Sequence, residues 1–205
     1  MLYLIPEMKK ALTLLILIAI LGCEKSYEKE EFIAVQDVLN DYLKREYLDN
    51  ILFPNRMFPE KDIEPIDTNN IVLKIYISDA LNPIEQIRED NYWMFENNYP
   101  ESENNEIFNS ILKSEKFKNL SYREIEKNDL ELIKPYKQVK SSKIILKEKE
   151  KYNLLQFSRI CFDSSLKNGI VVIDEHIGQK GMKIQGYHKA FLIKKIKGKW
   201  KYIKE

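Results

Sequence analysis

Two histidines and one aspartate are the residues of this chain whose types and spacing best suit chemistry. His176 and His188 are its only histidines, and Asp174 lies two residues before the first of them. If segments 168–176 and 187–196 pair as antiparallel strands in an even register, all three side chains lie on one face of the sheet. Two imidazoles and a carboxylate are ligands that zinc and iron accept. The three residues are therefore a candidate metal site, although two exposed histidines beside a loop would give the same pattern.

Two other sets of residues could carry chemistry. Ser164 or Ser165 could combine with His176 and Asp163, but no G-x-S-x-G elbow surrounds either serine, and the D-S-S-L-K-N-G stretch is typical of a hairpin turn. Cys161 could be a nucleophile, whereas a lone cysteine buried in a strand more often behaves as a small hydrophobic residue. Neither pattern predicts a catalytic residue.

The segment N-Y-W-M-F at 91–95 places Tyr92, Trp93 and Phe95 beside Asn and Glu residues. Exposed aromatic faces combine an apolar surface with a polar edge, and a sugar ring can stack on them. Aromatic side chains near helical spacing more often belong to a hydrophobic core. The segment is therefore a candidate contact for a glycan, or a part of the core.

The chain opens with an apolar run from Ala11 to Leu21, which is 11 residues long. A helix that crosses a bilayer needs roughly 20 apolar residues, so this run is too short to span one. Lys9 and Lys10 precede it, and positive charge before an apolar run of roughly 7 to 15 residues is typical of a secretory signal. We expect residues 1–22 to be a cleaved signal peptide.

The apolar run ends in Ile20-Leu21-Gly22-Cys23, which resembles the lipobox of bacterial lipoproteins. The resemblance implies diacylglycerol on the Cys23 sulfur, cleavage after Gly22 and acylation of the new N-terminus. Two or more acyl chains anchor a protein stably, whereas a single chain binds only reversibly. Residues 23–30 would then act as a tether, and the membrane would be a partner through the lipid on Cys23.

The residue after the cysteine bears on location, and the C-terminal third resembles a group of known sequences. Glu24 replaces the Asp that retains enteric lipoproteins in the inner membrane, so we expect the outer membrane of the cell envelope, at either face. F-S-R-I-C-F-D-S-S-L-K-N-G-I-V-V-I (157–173) and the final G-K-W hairpin are similar to the tail of uncharacterised small lipoproteins of Bacteroidota. These are packing motifs, so the similarity implies no activity.

Composition and motifs give no reason to expect a nucleic-acid partner or a cofactor. Removal of the signal peptide takes Lys9, Lys10 and Glu7 from the 33 basic and 32 acidic residues, which leaves 31 of each. The bulk charge therefore gives no argument for a nucleic-acid partner, since such binding depends on neutralising phosphates, and no nucleic-acid partner is expected. The sequence has no Gly-rich phosphate loop, no H-E-x-x-H and no EF-hand pattern, so no cofactor is expected either.

Apolar periodicity predicts a single α+β domain over residues 31–205. Two helices are predicted over 29–48 and 105–114, and a third is predicted to begin at Ser121. The predicted strands cover 71–78, 142–148, 153–162, 168–176, 187–196 and 199–205. Short loops between the C-terminal strands favour antiparallel neighbours. We therefore expect one or two helices packed on a C-terminal antiparallel β-meander.

Two functional classes follow from these observations. The leading expectation is a non-catalytic envelope lipoprotein that binds, scaffolds or inhibits a partner, which is an envelope protein or a glycan. The alternative is a small lipid-anchored hydrolase or metalloprotein that uses Asp174, His176 and His188. The positions of the two histidines in the fold bear on this choice.

Overall fold

The computed structural model describes residues 26–48, 70–96, 98–100, 102–125, 130–140, 151–179 and 185–204. The expected signal peptide (1–22), the lipobox with Cys23 and the strand expected over 142–148 lie outside the described residues. Within the described ranges, none of the helices combines the length and the apolar character needed to cross a bilayer.

The described chain contains four α-helices and eight strands. The helices are α1 (26–42), which continues as a π-helical turn over Leu43–Leu48, α2 (Ile84–Asp90), α3 (Glu103–Leu112) and α4 (Glu115–Lys118), with a 3-10 turn over Tyr92–Phe95. The strands are β1 (Leu73–Asn82), β2 (Arg123–Glu124), β3 (Tyr136–Lys140), β4 (Lys151–Ser158), β5 (Cys161–Phe162), β6 (Asn168–Gln179), β7 (Gln185–Ile196) and β8 (Lys199–Tyr202).

All eight strands belong to one mixed sheet; six follow the order β2-β1-β4-β6-β7-β8, while β3 pairs with β1 and β5 pairs with β6. The strands β4, β6, β7 and β8 pair antiparallel with their neighbours, which confirms the α+β class and the C-terminal meander. Strand β1 runs parallel to β4 and to β3. Parallel neighbours need a long crossover, and the segment with α2, α3 and α4 supplies it between β1 and β4.

Successive residues of a strand alternate between the two sides of a sheet. Apolar strand residues lie on both faces of this sheet, and helices cover both. Val171 and Ile173 belong to a core that includes the apolar face of α1, whereas Ile170 and Val172 belong to a core with α3 and α4. The first core is larger, and α1 contributes Ala34, Val35, Val38, Leu39 and Tyr42 to it, each at most 4% exposed. These residues recur at three- and four-residue spacing, so they form one stripe of the helix.

A fully buried carboxylate joins α1 to the sheet. Glu31 is 0% exposed and accepts hydrogen bonds from Arg159 Nε at 2.8 Å, Arg123 Nη1 at 2.8 Å and the Ile160 backbone N–H at 2.9 Å. A buried charge is tolerated when it is paired and its remaining lone pairs are hydrogen-bonded. The three donors satisfy this requirement, and they come from β2 and from the break between β4 and β5.

The same break explains the S-R-I-C-F stretch (158–162) of the C-terminal similarity. The hydroxyl of Ser158 donates to the Arg159 carbonyl at 2.8 Å and accepts the Val172 N–H at 2.8 Å. This hydroxyl therefore satisfies a strand N–H of β6 at the point where β4 gives way to β5. Because the chain turns there, the Arg159 side chain reaches Glu31 while Phe162 enters the α1 core.

Two expectations differ from the structure. Residues 26–30, expected within the tether, are helical, because Tyr27 donates to the Ile160 carbonyl and Glu30 accepts from Trp200 Nε1 at 2.6 Å. The helix expected to begin at Ser121 is wrong: Arg123–Glu124 form β2, which pairs with β1. There the contact of Arg123 with Glu31 outweighs a local capping pattern.

The Glu31 network generates a stability prediction. Glu31→Gln removes the charge that pairs with two arginines, and breaking a buried pair typically costs about 3–5 kcal/mol. We expect a loss of this size in the free energy of unfolding, measured by urea titration of the purified protein. The matched control is Glu28→Gln, because Glu28 lies 3.7 Å from Arg123 but is 41% exposed, so its loss should stay within about 1 kcal/mol. Equal losses in the two variants would contradict the assignment.

Candidate functional site

The register of β6 and β7 places the three candidate residues on one sheet face. Asp174 lies opposite His188, and His176 lies opposite Gly186. The even register assumed in the sequence argument is therefore the one that the structure has. All three residues share the face of Ile170 and Val172, which is the side covered by α3 and α4.

Their contacts do not form a metal site. His188 Nδ1 lies 3.8 Å from Asp174 Oδ1, whereas His176 Nε2 lies 3.0 Å from Gln156 Oε1 on β4. In the part of the chain that the structure describes, no group of three or more His, Cys, Asp or Glu side chains could hold a metal ion. The three residues thus share a face without forming a ligand cluster.

Asp174 carries an acceptor atom that the fold does not satisfy. Its Oδ1 is buried and has no hydrogen-bond partner. Burial raises the pKa of the Asp174 carboxyl, although His188 and His176 act in the opposite direction. A buried polar atom without a partner destabilises a fold by about 1–3 kcal/mol, and such atoms are found at functional sites more often than elsewhere.

An exposed indole stands beside this pair. The rings of Trp93 and His188 have centroids 5.3 Å apart with an interplanar angle of 44°. Trp93 and Tyr187 are each 56% exposed, and a cavity of about 320 Å³ opens beside them. We call this cavity the Trp93 cleft; its lining residues are Trp93, Met94, Asn98, Gly186, Tyr187, His188 and Lys189.

The 3-10 turn holds Trp93 in place by burying the two side chains that follow it. Met94 and Phe95 are 3% and 4% exposed and belong to the α3–α4 core, whereas Tyr92 and Trp93 are exposed. The predicted aromatic platform is therefore split, because Phe95 belongs to the core. Asn98 closes the base of the turn, since its Nδ2 donates to the Met94 carbonyl at 2.5 Å.

Gly186 is required by the close packing of β7 against β6. A Cβ atom at this position would lie 3.3 Å from His176 Nδ1, which is closer than ordinary van der Waals contact. Because His176 also bonds to Gln156, its ring has little room to move away. A side chain at this position would therefore require the His176 ring to shift.

The structure does not bring the Ser-His-Asp set together. Ser165 donates to Asp163 at 3.0 Å within the turn before β6, and Asn168 Nδ2 donates to the same carboxylate at 2.7 Å. His176 lies eight residues along β6 from Asn168, roughly 25 Å away at the rise of a strand. Asp163 and Ser165 are therefore turn residues.

Cys161 is a core residue. It is 0% exposed and packs in the α3–α4 core, and its sulfur lies 3.7 Å from the Ser114 hydroxyl. Burial raises the pKa of its thiol to about 11. Because the thiolate is the reactive form, this cysteine is inert at neutral pH.

No protein-family model matches the chain, and neither do the curated proteins or the solved structures compared with it. The chemistry of the cleft therefore has to be inferred from its residues. The sequence indicated Asp174, His188 and Trp93 as candidates and grouped the first two, but it gave no sign that Trp93 lies beside His188. The roles of Asn98 in the cleft and of Gln156 as the partner of His176 could not be predicted, because a single amide side chain in a loop or strand belongs to no recognisable sequence motif.

The unsatisfied carboxyl of Asp174 generates a pH prediction. Because the pKa of Asp174 is raised in the folded protein, this carboxyl stays protonated to a higher pH there than in the unfolded chain. The free energy of unfolding therefore falls as the pH rises from the ordinary pKa of an Asp carboxyl to the raised pKa of the folded protein. We expect Asp174→Asn to increase the free energy of unfolding at pH 7 by about 1 kcal/mol, and to lose this advantage near about pH 3. Urea titrations of the variant and the wild type at both pH values measure this difference in the free energy of unfolding.

Asp163→Asn is the control of opposite sign. Burial opposes ionisation of Asp163, but hydrogen bonds from Asn168, Lys167 and Ser165 outweigh it and lower the pKa of the carboxyl. Stability from such a group is present above its unfolded pKa and is lost as pH falls through the folded value. Asp163→Asn should therefore destabilise the protein at pH 7. A destabilised Asp174→Asn variant at pH 7 would contradict the interpretation.

Proposed function

We propose that the mature protein is a lipid-anchored protein of the bacterial cell envelope whose α+β domain binds a saccharide, without catalysis, in the Trp93 cleft. The observation that supports this proposal is the half-exposed indole of Trp93 beside His188 at the mouth of a cavity of about 320 Å³. The size lies within the range of small-ligand pockets, roughly 300–1,000 Å³.

The chemistry of the cleft suits a saccharide better than an apolar ligand. A sugar ring presents C–H groups on one face, which pack on an indole, and hydroxyls at its edge, which need donors and acceptors. Asn98 and His188 supply such groups beside the ring of Trp93. Folding gains little from an indole that stays 56% exposed, since burial is what stabilises an apolar side chain.

The anchor and the location are parts of the same proposal. Helix α1 is already present at residue 26, so three peptide units separate it from Cys23, a reach of about 10 Å. A lipid on Cys23 would hold the domain at the membrane surface, where the envelope glycans are. We propose the outer membrane, at either of its faces.

The two tryptophans provide a direct assay of the cleft. Trp93 is 56% exposed and Trp200 is 1% exposed, so only the first is open to a quencher. We expect maltohexaose, cellohexaose, chitohexaose or mannohexaose to protect the fluorescence of Trp93 against iodide. Trp93→Ala should weaken the binding, measured by calorimetry, by about tenfold or more, which equals about 1.4 kcal/mol.

The control for this assay is Tyr122→Ala. Tyr122 is 55% exposed and does not line the Trp93 cleft, so its removal should leave the affinity unchanged. If none of the four saccharides protects Trp93, or if both variants lose affinity equally, the saccharide proposal fails. Circular dichroism of both variants checks that the fold is intact.

One contact favours an alternative, which is a small lipid-anchored hydrolase. Asp174 lies beside the imidazole of His188, and a carboxylate in that position can orient a histidine that acts as a general base on water. Incubation with the same four saccharides separates the binding protein from the hydrolase. A hydrolase would generate new reducing ends that disappear in His188→Gln, whereas a binding protein leaves the saccharides intact.

The proposed anchor makes its own prediction. Cells that express the protein should incorporate radioactive palmitate into it and retain it in the membrane fraction. Cys23→Ala should abolish the label and release the protein, because no acyl chain can then attach. Cys161→Ala is the control, since that thiol is buried in the core. Acylation that persists in Cys23→Ala would refute the anchor without affecting the cleft.

A further inference from the structure

A second cavity lies at the N-terminal end of α1. It has a volume of about 400 Å³, which is the size of a small-ligand pocket. Its wall combines residues of α1, α4, β2 and the break between β4 and β5. We call it the basic cavity; its charged and tyrosine lining residues are Tyr27, Glu28, Lys116, Tyr122, Arg123 and Arg159.

Positive charge exceeds negative charge around the basic cavity. Lys116, Arg123 and Arg159 are its cations. In the described part of the chain, the carboxylates that contact them are the buried Glu31 and the partly exposed Glu28. Three cations against two carboxylates leave one positive charge without a counterpart. A bound monoanion would complete the charge balance.

The two arginines are fixed in position but retain unused donors. Arg123 Nη1 and Arg159 Nε both donate to Glu31 Oε2, at 2.8 and 3.0 Å, so their guanidinium groups are neighbours. Nη1 of each arginine also donates to a backbone carbonyl, of Glu28 and of Ser121 respectively. A guanidinium has five N–H donors. No acceptor among the described residues contacts Nη2 of either arginine.

The positions of these donors do not have to be organised by a ligand. Arg159 is only 8% exposed, and the side chain of Arg123 is 20% exposed. Because Glu31 already holds both side chains in one conformation, an anion that binds them loses little conformational entropy. A charge-assisted hydrogen bond to such an arginine is also stronger than one between neutral groups.

Lys116 adds a third cation from a different element. It is exposed on α4, and its ammonium group lies 6.0 Å from the ring centre of Tyr27. Across the described ranges, no carboxylate pairs with it, whereas Lys118 of the same helix lies 3.6 Å from Glu115. The ammonium group of Lys116 is therefore available to an anion in the cavity.

We propose that the basic cavity binds a phosphodiester group. Its two non-bridging oxygens share one negative charge and accept hydrogen bonds from Nη2 of Arg123 and Arg159 and from Lys116 Nζ. The carbon chain beside the phosphorus packs on the ring of Tyr122, which is 55% exposed. Donors from three side chains suit a tetrahedral group, whereas one arginine is enough for a planar carboxylate.

A phosphodiester can come from a phospholipid headgroup or from a soluble glycerophosphodiester. Tyr27 lies four residues after Cys23, so the chain between them spans at most about 14 Å. A lipid on Cys23 would therefore keep the basic cavity close to the membrane surface, which favours the headgroup. This choice of source rests on the proposed anchor, whereas the phosphodiester site itself does not.

The test titrates four compounds into the purified intact protein in a neutral detergent, followed by calorimetry. Dihexanoylphosphatidylglycerol carries the phosphodiester with acyl chains, and glycerophosphoglycerol carries it without them. Dihexanoylglycerol has the chains without the phosphate, and hexanoate carries a carboxylate instead. We expect both phosphodiesters to bind at least tenfold more tightly than the other two compounds. No binding of either phosphodiester, or equal binding of hexanoate or dihexanoylglycerol, would overturn the proposal.

The same titrations identify the source of the phosphodiester. We expect dihexanoylphosphatidylglycerol to bind at least tenfold more tightly than glycerophosphoglycerol, because its acyl chains add contacts with Tyr122. Equal affinities for the two phosphodiesters would support the site but refute the lipid as its source.

Variants with opposite expected effects assign the site to the basic cavity. Lys116→Met replaces an exposed side chain, so the fold should remain intact, and it should weaken phosphodiester binding by at least tenfold. Lys118→Met is the matched control on the same helix and should leave the affinity unchanged. Glu28→Gln removes the carboxylate that lies 3.7 Å from Arg123, so it should strengthen the binding about threefold.

These variants distinguish binding from a structural role. Loss of a residue that only stabilises the fold would not increase affinity, so weaker binding in Glu28→Gln would refute the assignment. Equal losses in Lys116→Met and Lys118→Met would refute it as well. No described residue lines both the basic cavity and the Trp93 cleft, so Trp93→Ala should keep the phosphodiester affinity. A loss in Trp93→Ala would place the binding outside the basic cavity.

Discussion

The carboxylate of Glu31 is the constraint on which the rest of the fold depends. It is separated by 128 residues from its main partner, Arg159, and it also binds Arg123 and the Ile160 N–H. An ion pair of this kind adds little net stability over apolar residues, whereas its disruption leaves charges buried. We infer that it selects one placement of α1, because other placements would leave the carboxylate and the arginines without partners.

That placement also positions the C-terminal end of α1. Glu31 and Glu46 lie 15 positions apart on the helix that includes the π-helical turn, which corresponds to roughly 20 Å. Between them, Val35, Val38 and Leu39 pack on the sheet. The buried anchor at one end of α1 therefore sets where its other end meets β6 and β7. Ligand groups that stand on such packed elements are positioned more accurately than groups on loops.

The sequence predicts local patterns well and long-range contacts poorly. The two-residue period of β6 was enough to place Asp174 and His176 on one face, because pleating fixes that alternation, whereas adding His188 required an assumed register between β6 and β7. Helix α2 escaped prediction, since I-E-Q-I-R-E-D is a single short amphipathic stretch that follows Pro83 in an acidic segment. The parallel pairing of β1 with β4 and the partners of Glu31, Trp93 and Glu175 have no local signal, because they depend on segments far apart in the chain.

Strand β7 shows how one element can present different side chains to the two faces of the sheet. In the part of the chain that the structure describes, β8 pairs with β7 only from Ile193 to Ile196, so the earlier residues of β7 lie at the edge of the sheet. His188 faces the α3–α4 side and Trp93, whereas Tyr187 and Lys189 alternate toward α1. A slip of one residue in register would exchange these two sets of side chains between the faces. The ten residue pairs from Asn168 with Lys194 to Ile177 with Gln185 hold that register, so the ladder that stabilises the core also keeps His188 on one face and Tyr187 and Lys189 on the other.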